Sequence, residues 1–409
     1  MSEARNGASP PLEGIRVVEM GSLLAGPFCG QLLADFGAEV IKLEPPGKGD
    51  PMREWGRHRK DGHTLWWPII ARNKKSVTLN LREEEGQKLA RDLISGADVV
   101  VENFRPGTME RWGLGYEDLS ETNPGLVMVR VSGYGQTGPY RERAGFGAIG
   151  ESMGGIRHVT GFPDRPPPRV GVSLGDSLAA TFGAFGAVTA LYNREASNGE
   201  GQGRGQVVDI GIYEAVLALM ESTIPEYALA GHVRGRTGAI LPFVAPSNTY
   251  PTRDDDYVVI GANADTVFAR FARAAGHSYW AEDERYATHN ARGENQEELD
   301  DMISGWTKER TVDEVLEVLK EAGVPASKVF TAKDMVEDPH YAARENVVTV
   351  DDPDMGPFPM QNVVPRLNGT PGKVRWTGPA LGQHNDEVYG EVLGLGEEER
   401  EALRERGVI

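Results

Sequence analysis

Apolar, β-branched residues gather in short runs along the first half of the chain, and stretches with helical spacing separate several of them. Ile15–Met20 is the first run, Ala38–Leu43 the second and Ser76–Leu81 the third; Asp98–Glu102 and Leu126–Val131 follow. Runs of this length with little alternation suit strands covered on both faces. A helix is predicted over Pro27–Phe36, with proline at its first position, and another over Glu83–Ser95, closed near Gly96. Alternating strands and helices imply parallel βαβ units, and so an α/β, Rossmann-like sheet with helices on both faces. In such sheets ligands bind beyond the carboxyl ends of the strands.

An alanine- and glycine-rich helix is predicted over Ser177–Tyr192, a strand over Gln206–Ile210 and a long helix over Ile212–Ala230, with a surface turn at Asn198–Gly205. The texture changes near residue 231. Gly231–Tyr250 reads as a loop-like passage. A strand at Tyr257–Gly261, helices at about 264–275, 296–307 and 311–322, and a strand at Val324–Val329 then predict a smaller α+β domain. Thr311 with Glu314 forms a capping-box start. The tail ends in a charged helix over Glu397–Glu405.

Composition narrows the classes. A chain of 409 residues can fold into two domains with a large core. Its single cysteine, Cys29, rules out a disulfide framework, and its position in an apolar run predicts burial. No run of about 18 apolar residues is present, so no membrane span is expected. The start, MSEARNGASPP, reads as a frayed tail without a signal core, and a cytoplasmic enzyme is expected. Net charge is −18, unevenly spread: residues 1–150 hold 19 Lys/Arg against 20 Asp/Glu, and the remainder holds 24 against 41. The acidic part argues against nucleic acid or an anionic membrane as partner. The first part carries local basic clusters at Arg53–Lys60, Arg72–Lys75, Arg105/Arg111 and Arg141/Arg143, several near predicted strand ends, where anions bind.

Two glycine motifs, Gly133-x-Gly135-x-x-Gly138 and Gly145-x-Gly147-x-x-Gly150, have dinucleotide-type spacing but not its context, and read instead as flexible loops over a substrate. The eight histidines show no paired metal-ligand spacing, so no metal site is expected. The richest stretch is Gly171-Val172-Ser173-Leu174-Gly175-Asp176, after a proline-rich loop. Ser173 sits in a formal G-x-S-x-G, and His384 is formally available as its partner, which would make the chain a serine hydrolase or thioesterase. An elbow serine needs a strand before it, and only Arg169–Val172 is available, directly after three prolines. Asp176 has the better setting: backbone N–H groups at a helix start keep a carboxylate ionised, and small neighbours leave room for a bulky partner. The competing reading is a plain helix-capping aspartate.

The chain resembles the family III CoA-transferases of CaiB/BaiF type, the group that includes formyl-CoA transferase and the carnitine CoA-transferases. The resemblance runs over nearly the whole length. It rests on Leu12–Val17, Gly26-Pro27, Phe36–Glu44, Asn73–Ser76, Glu102–Gly107, Asn123-Pro124, Leu174-Gly175-Asp176, Gly203–Gln206 and Leu381–His384, in that order. It implies that Asp176 is the nucleophile and Ser173 coincidental. It implies that Asn73, Lys74, Lys75 and Ser76 hold the nucleotide part of CoA, with Asn103, Phe104, Arg105 and Arg111 as further contacts. Arg143, beside Arg141, lies near another basic contact, where the aligned residue is Ala144. CoA and acyl-CoA would be substrates, with no permanently bound cofactor.

The resemblance also implies a two-domain, interlaced homodimer, with a large domain of residues 1–225 and 331–409 and a small domain of 226–330. The departures matter. Leu24 stands where formyl-CoA enzymes carry glutamine, Pro45 where they carry arginine, and Gly261-Ala262-Asn263-Ala264 where their glycine-run lid lies. Oxalate is therefore disfavoured as acceptor. Related α-methylacyl-CoA racemases use a His-Asp pair where this chain has Phe146-Gly147, so the base is missing. The reaction expected is transfer from succinyl-CoA, or a similar donor, to a small di- or hydroxycarboxylate. A non-catalytic CoA-binding protein is a third class to test.

Overall fold

The computed structural model describes residues 9–196 and 203–409. The predicted turn at 198–205 and the N-terminal tail lie largely outside the described residues. The chain forms two compact units. One comprises Met1–Ile156, Val170–Ile224 and Ala342–Ile409, the other Arg157–Arg169 and Pro225–Tyr341.

The first unit is built on six strands: β1 (Arg16–Glu19), β2 (Glu39–Glu44), β3 (Lys74–Thr78), β4 (Val99–Glu102), β5 (Val127–Ser132) and β6 (Val207–Gly211). They pair in the order β3-β2-β1-β4-β5-β6, all parallel. This is the doubly wound order, and it reverses direction between β1 and β4. Alternate residues of one strand feed opposite layers. Val18 and Val100 face the layer of α2 (Glu84–Ser95), with Leu89, Leu93 and Ile94. Val17, Val99 and Val101 face α1 (Ala25–Asp35) and the long α4 (Leu174–Ala196).

The short α3 (Gly147–Met153) occupies part of the second glycine motif, which therefore opens a helix rather than a free loop. The composition of α4 is a packing device. Ala179, Ala180, Ala187 and Ala190 are buried. A Cβ on Gly183 would lie 3.2–3.3 Å from Val129, Cys29 and Ile210. Small residues let α4 seat closely on α1 and the sheet. By length and hydropathy α4 could cross a membrane (window mean hydropathy 1.3), but its small residues pack in the unit's core.

The predicted helix over Ile212–Ala230 is two helices, α5 (Ile212–Leu217) and Thr223–Ala230. Pro225 explains the break. In a continuous helix its ring would meet the carbonyl of residue 221, and Glu221 instead takes φ +50°. A hairpin of Val347–Asp352 and Gly356–Gln361 was not anticipated. The C-terminal segment then returns along β3: Asn73 N–H donates to Trp376 O (3.2 Å), His384 N–H to Ser76 O (2.9 Å), and Tyr389 OH to Thr78 O (2.7 Å). The tail thus covers an otherwise open sheet edge.

The second unit contains the antiparallel strands Ser247–Pro251, Tyr257–Gly261 and Ala326–Lys328, paired in the order third-second-first. Helices Asp265–Ala274, Gln296–Lys308 and Val312–Glu321 share one core with them, around Phe268, Phe271, Trp306 and Leu319. Thr311 and Glu314 do form the capping box. Ser247–Pro251 lies within the passage read as loop-like.

Candidate active site

Asp176 stands in the first turn of α4, partly buried, in a cleft of about 360 Å³. The cleft opens beyond the carboxyl ends of β1, β4, β5 and β6: Ser22–Ala25, Asn103–Pro106, Val131–Gly133 and Ile212 line it. It therefore spans the switch point of the sheet. Leu23, Leu24, Trp55, Phe104 and Phe146 give the cleft a largely apolar lining, which Arg105, Arg141 and Arg143 share. Asp176 also lies against α3. A Cβ on Gly147 would come within 2.3 Å of Asp176 Oδ2 and 2.8 Å of its Cγ, so the carboxylate occupies space that only glycine leaves open. The Gly175 N–H donates to Glu151 Oε1 (3.2 Å), a buried carboxylate beneath the start of α4. The long helix behind Asp176 favours its ionised form.

The loop after β1 shapes the other wall and is held from two sides. Asn103 Oδ1 accepts from Ser22 N–H and its Nδ2 donates to Ser22 O, both at 2.9 Å. Leu23 has φ +66°, a left-handed conformation that costs a leucine about 1–2 kcal/mol. Its N–H donates to Asp50 Oδ1 (3.2 Å), and Asp50 Oδ2 pairs with Lys42 Nζ (2.9 Å). Lys42 in turn donates to Gly21 O and pairs with Glu19. A buried ionic cluster thus anchors the strained backbone that faces Asp176. Asn103→Ala is expected to lower stability by about 1–3 kcal/mol, because Ser22 loses both partners. Thermal unfolding checks this, and an unchanged Tm contradicts the clamp.

A second depression of about 620 Å³ continues from the first and shares Arg105, Pro106 and Arg141 with it. Arg111 and Arg130 add to its lining. Arg111 donates to Thr108 Oγ1 (3.0 Å) and remains exposed. Arg130 is tied at Nε to Glu102 (2.7 Å) and at Nη1 to Glu110 (2.6 Å). Burial pushes the Glu102 carboxyl up to about 7 against the pull of Arg130. Glu110 and Glu142 line the same depression, and Arg105, Arg111 and Arg141 are the exposed guanidinium groups there that suit phosphate oxygens.

The residues expected from the sequence divide. Asn103, Phe104, Arg105, Arg111 and Arg143 line the two depressions. Phe104 stacks edge-on against Trp112 (centroids 5.1 Å apart). Asn73, Lys74, Lys75 and Ser76 do not line them. Lys74, Lys75 and Ser76 lie on β3, at the covered sheet edge, with Asn73 just before it, and the four side chains are engaged within the protein. Asn73 Nδ2 donates to Asp35 Oδ1 (2.8 Å), and its Oδ1 accepts from Arg375 N–H (2.7 Å). Lys74 is buried against Glu19 (2.7 Å), and burial pulls its pKa down. Ser76 Oγ donates to Glu44 Oε1 (2.6 Å). Only Lys75 reaches the surface, paired with Glu39 and Glu387.

Ser173 has no strand before it, and His384 Nδ1 accepts from Ser76 N–H on β3, the edge opposite β6, whereas Ser173 adjoins α4, packed over β5 and β6. Ser173 and His384 therefore belong to different ends of the sheet, not to one hydrolase triad. The first glycine motif has a packing role: a Cβ on Gly133 would lie 2.8 Å from Gly145 Cα. Trp55 and Arg130 are not marked in the sequence, and Gly147 only as one glycine of a motif, since each gains its place from segments far away in the chain.

A model of CoA-transferase family III matches residues 12–385. The chain belongs to CoA-transferase family III. A succinyl-CoA–D-citramalate CoA-transferase of Chloroflexus aurantiacus is 64% identical, over 98% of each chain. The alpha subunit of a succinyl-CoA–L-malate CoA-transferase of Chloroflexus aurantiacus is 42% identical, over 98% of this chain and 92% of its own length. The crystal structure of a CAIB/BAIF family protein from Brucella suis superposes with TM-score 0.83 at 34% identity, covering 94% of this chain and 100% of the other. The transferase is thus an α/β member of that structural group, with acyl-CoA thioesters and carboxylates as its class of substrates.

Proposed function

We propose that this transferase moves CoA from succinyl-CoA to a small dicarboxylic acid of the citramalate or malate kind, through a thioester on Asp176. The observation that carries the reading is the carboxylate of Asp176 in a largely apolar cleft that runs directly into an arginine-lined depression. The citramalate and malate relatives support the choice of acids.

The steps balance without a cofactor. Asp176 attacks the thioester carbonyl and expels CoA thiolate, leaving a mixed anhydride. The thiolate attacks the aspartyl carbonyl, which releases succinate and leaves CoA on Asp176. The acceptor carboxylate attacks that thioester and expels the thiolate again, giving a second anhydride. The thiolate then attacks the acceptor's carbonyl, so acyl-CoA leaves and Asp176 is regenerated. Nucleophile, donor acid and acceptor acid have similar basicity, so each anhydride forms and breaks readily. Arg105 and Arg111 hold phosphates of CoA in this reading.

A homodimer belongs to the proposal. Phe182, Phe185, Val188 and Tyr192 form a solvent-facing apolar stripe on α4, with Phe185 69% and Tyr192 74% exposed. A stripe of this kind calls for a covering surface, which a second copy would supply.

The test is incubation with succinyl-CoA and a panel of acids, D-citramalate and L-malate among them, read by mass spectrometry of the CoA esters. Acceptor-CoA is expected in amounts equal to the succinate released. Succinate and free CoA without acceptor-CoA would instead indicate a thioesterase and overturn the reading.

A further inference from the structure

The acyl group proposed for this enzyme carries a second carboxylate, and that charge enters a cleft with a largely apolar lining. A charge taken into such surroundings needs a partner. Three arginines line the Asp176 cleft: Arg105, Arg141 and Arg143. Arg105 and Arg141 also line the neighbouring depression, and Arg141 faces Glu142 at 3.5 Å. Arg143, an exposed side chain, is the one of the three that lines the Asp176 cleft and not the neighbouring depression.

Its guanidinium is pre-positioned by rings rather than by acids. Its Cζ lies 3.6 Å from the centroid of Tyr140, Tyr140 meets Tyr134 edge-on (5.9 Å, 77°), and Tyr134 continues to Tyr213 (6.4 Å). Tyr134 is pressed against the cleft wall at Gly145, where a Cβ would lie 3.0 Å from the ring. No carboxylate or carbonyl among the described residues accepts a hydrogen bond from the Arg143 side chain. Stacking fixes the plane of the guanidinium and leaves its edge donors for a bidentate carboxylate.

We infer that Arg143 is the specificity determinant for the distal carboxylate of the acyl group, and that it is not a CoA phosphate ligand. The inference rests on the transfer reaction proposed above. It assigns the choice between dicarboxylic and monocarboxylic acyl groups to one side chain. The aromatic ladder Tyr140–Tyr134–Tyr213 acts through it as a support.

The experiment compares wild type, Arg143→Gln and Arg143→Lys in the formation of the enzyme–CoA thioester from succinyl-CoA and from butyryl-CoA, which has the same chain length without the distal charge. Binding of free CoA is measured alongside. For Arg143→Gln, kcat/KM with succinyl-CoA is expected to fall about 10²-fold, the scale of a lost charge-assisted hydrogen-bonded pair. Butyryl-CoA use and CoA affinity are expected to stay near the wild-type values. Arg143→Lys is expected to recover part of the loss. An equal fall with both donors, a fall in CoA affinity, or no change at all would overturn the assignment. Should wild type transfer CoA from no donor, the underlying reaction fails as well; a normal wild type beside a variant that keeps the wild-type preference for succinyl-CoA over butyryl-CoA overturns the Arg143 assignment alone.

Discussion

Replacing Asp176 with asparagine is expected to lower kcat by on the order of 10⁴-fold or more, the scale seen when a covalent nucleophile is removed. Asparagine keeps the shape of the side chain, so the fold and the affinity for CoA should persist, and circular dichroism with a CoA titration checks both. Asp176→Ala serves as the companion variant, because it cannot regain an acid by deamidation. Glutamate is not a substitute. The carboxylate already lies in space that only the missing side chain of Gly147 leaves open, and a longer acid must place its oxygens elsewhere. Turnover near wild type in both the asparagine and alanine variants would remove the nucleophile from the account.

Gly147→Ala is the second large effect. The added Cβ would fall 2.3 Å from Asp176 Oδ2 and 3.1 Å from Oδ1, which forces the carboxylate aside. A displacement of about 1 Å at the reacting group costs on the order of 10²-fold in rate, and a fall of that size in kcat is expected, with little change in CoA affinity. Stability should move the other way or stay level. Gly147 is the first residue of α3 and its φ is outside the left-handed region. Apart from the contact with Asp176, alanine there meets no backbone penalty. A variant that is at least as stable but slow identifies a positional defect. One that is fully active would show that Asp176 does not depend on this gap.

The parallel sheet was legible because its central strands are covered on both faces, and so read as continuous apolar runs such as Val99–Val101. The helices of the second unit were legible from periodicity and from the cap at Thr311. The strand Ser247–Pro251 and the hairpin Val347–Gln361 were not. They are short, and prolines at 251, 357 and 359 blur the alternating pattern. Pro225 did carry the signal that divides the predicted helix over 212–230, through its clash with the carbonyl four residues earlier.

Within the site, Asp176 could be reached from its place at a helix start together with the family resemblance. The work of Lys74 and Asn73 could not. A lysine in sequence reads as a surface cation, whereas Lys74 is buried against Glu19, from another strand. Asn103 was placed correctly at a strand end, yet its side chain grips Ser22, eighty-one residues earlier. Gly147 is marked in sequence only as one glycine of a motif that reads as a flexible loop. Its role comes from the approach of α3 to α4.

The central claim is that CoA becomes covalently attached to this chain at one side chain. The direct measurement is peptide mass spectrometry after incubation with succinyl-CoA alone, quenched with hydroxylamine. A hydroxamate on the peptide containing Asp176, dependent on succinyl-CoA and missing in Asp176→Ala, is the result expected. A modification on Ser173, or none on either residue while CoA is still being exchanged between acids, would contradict it.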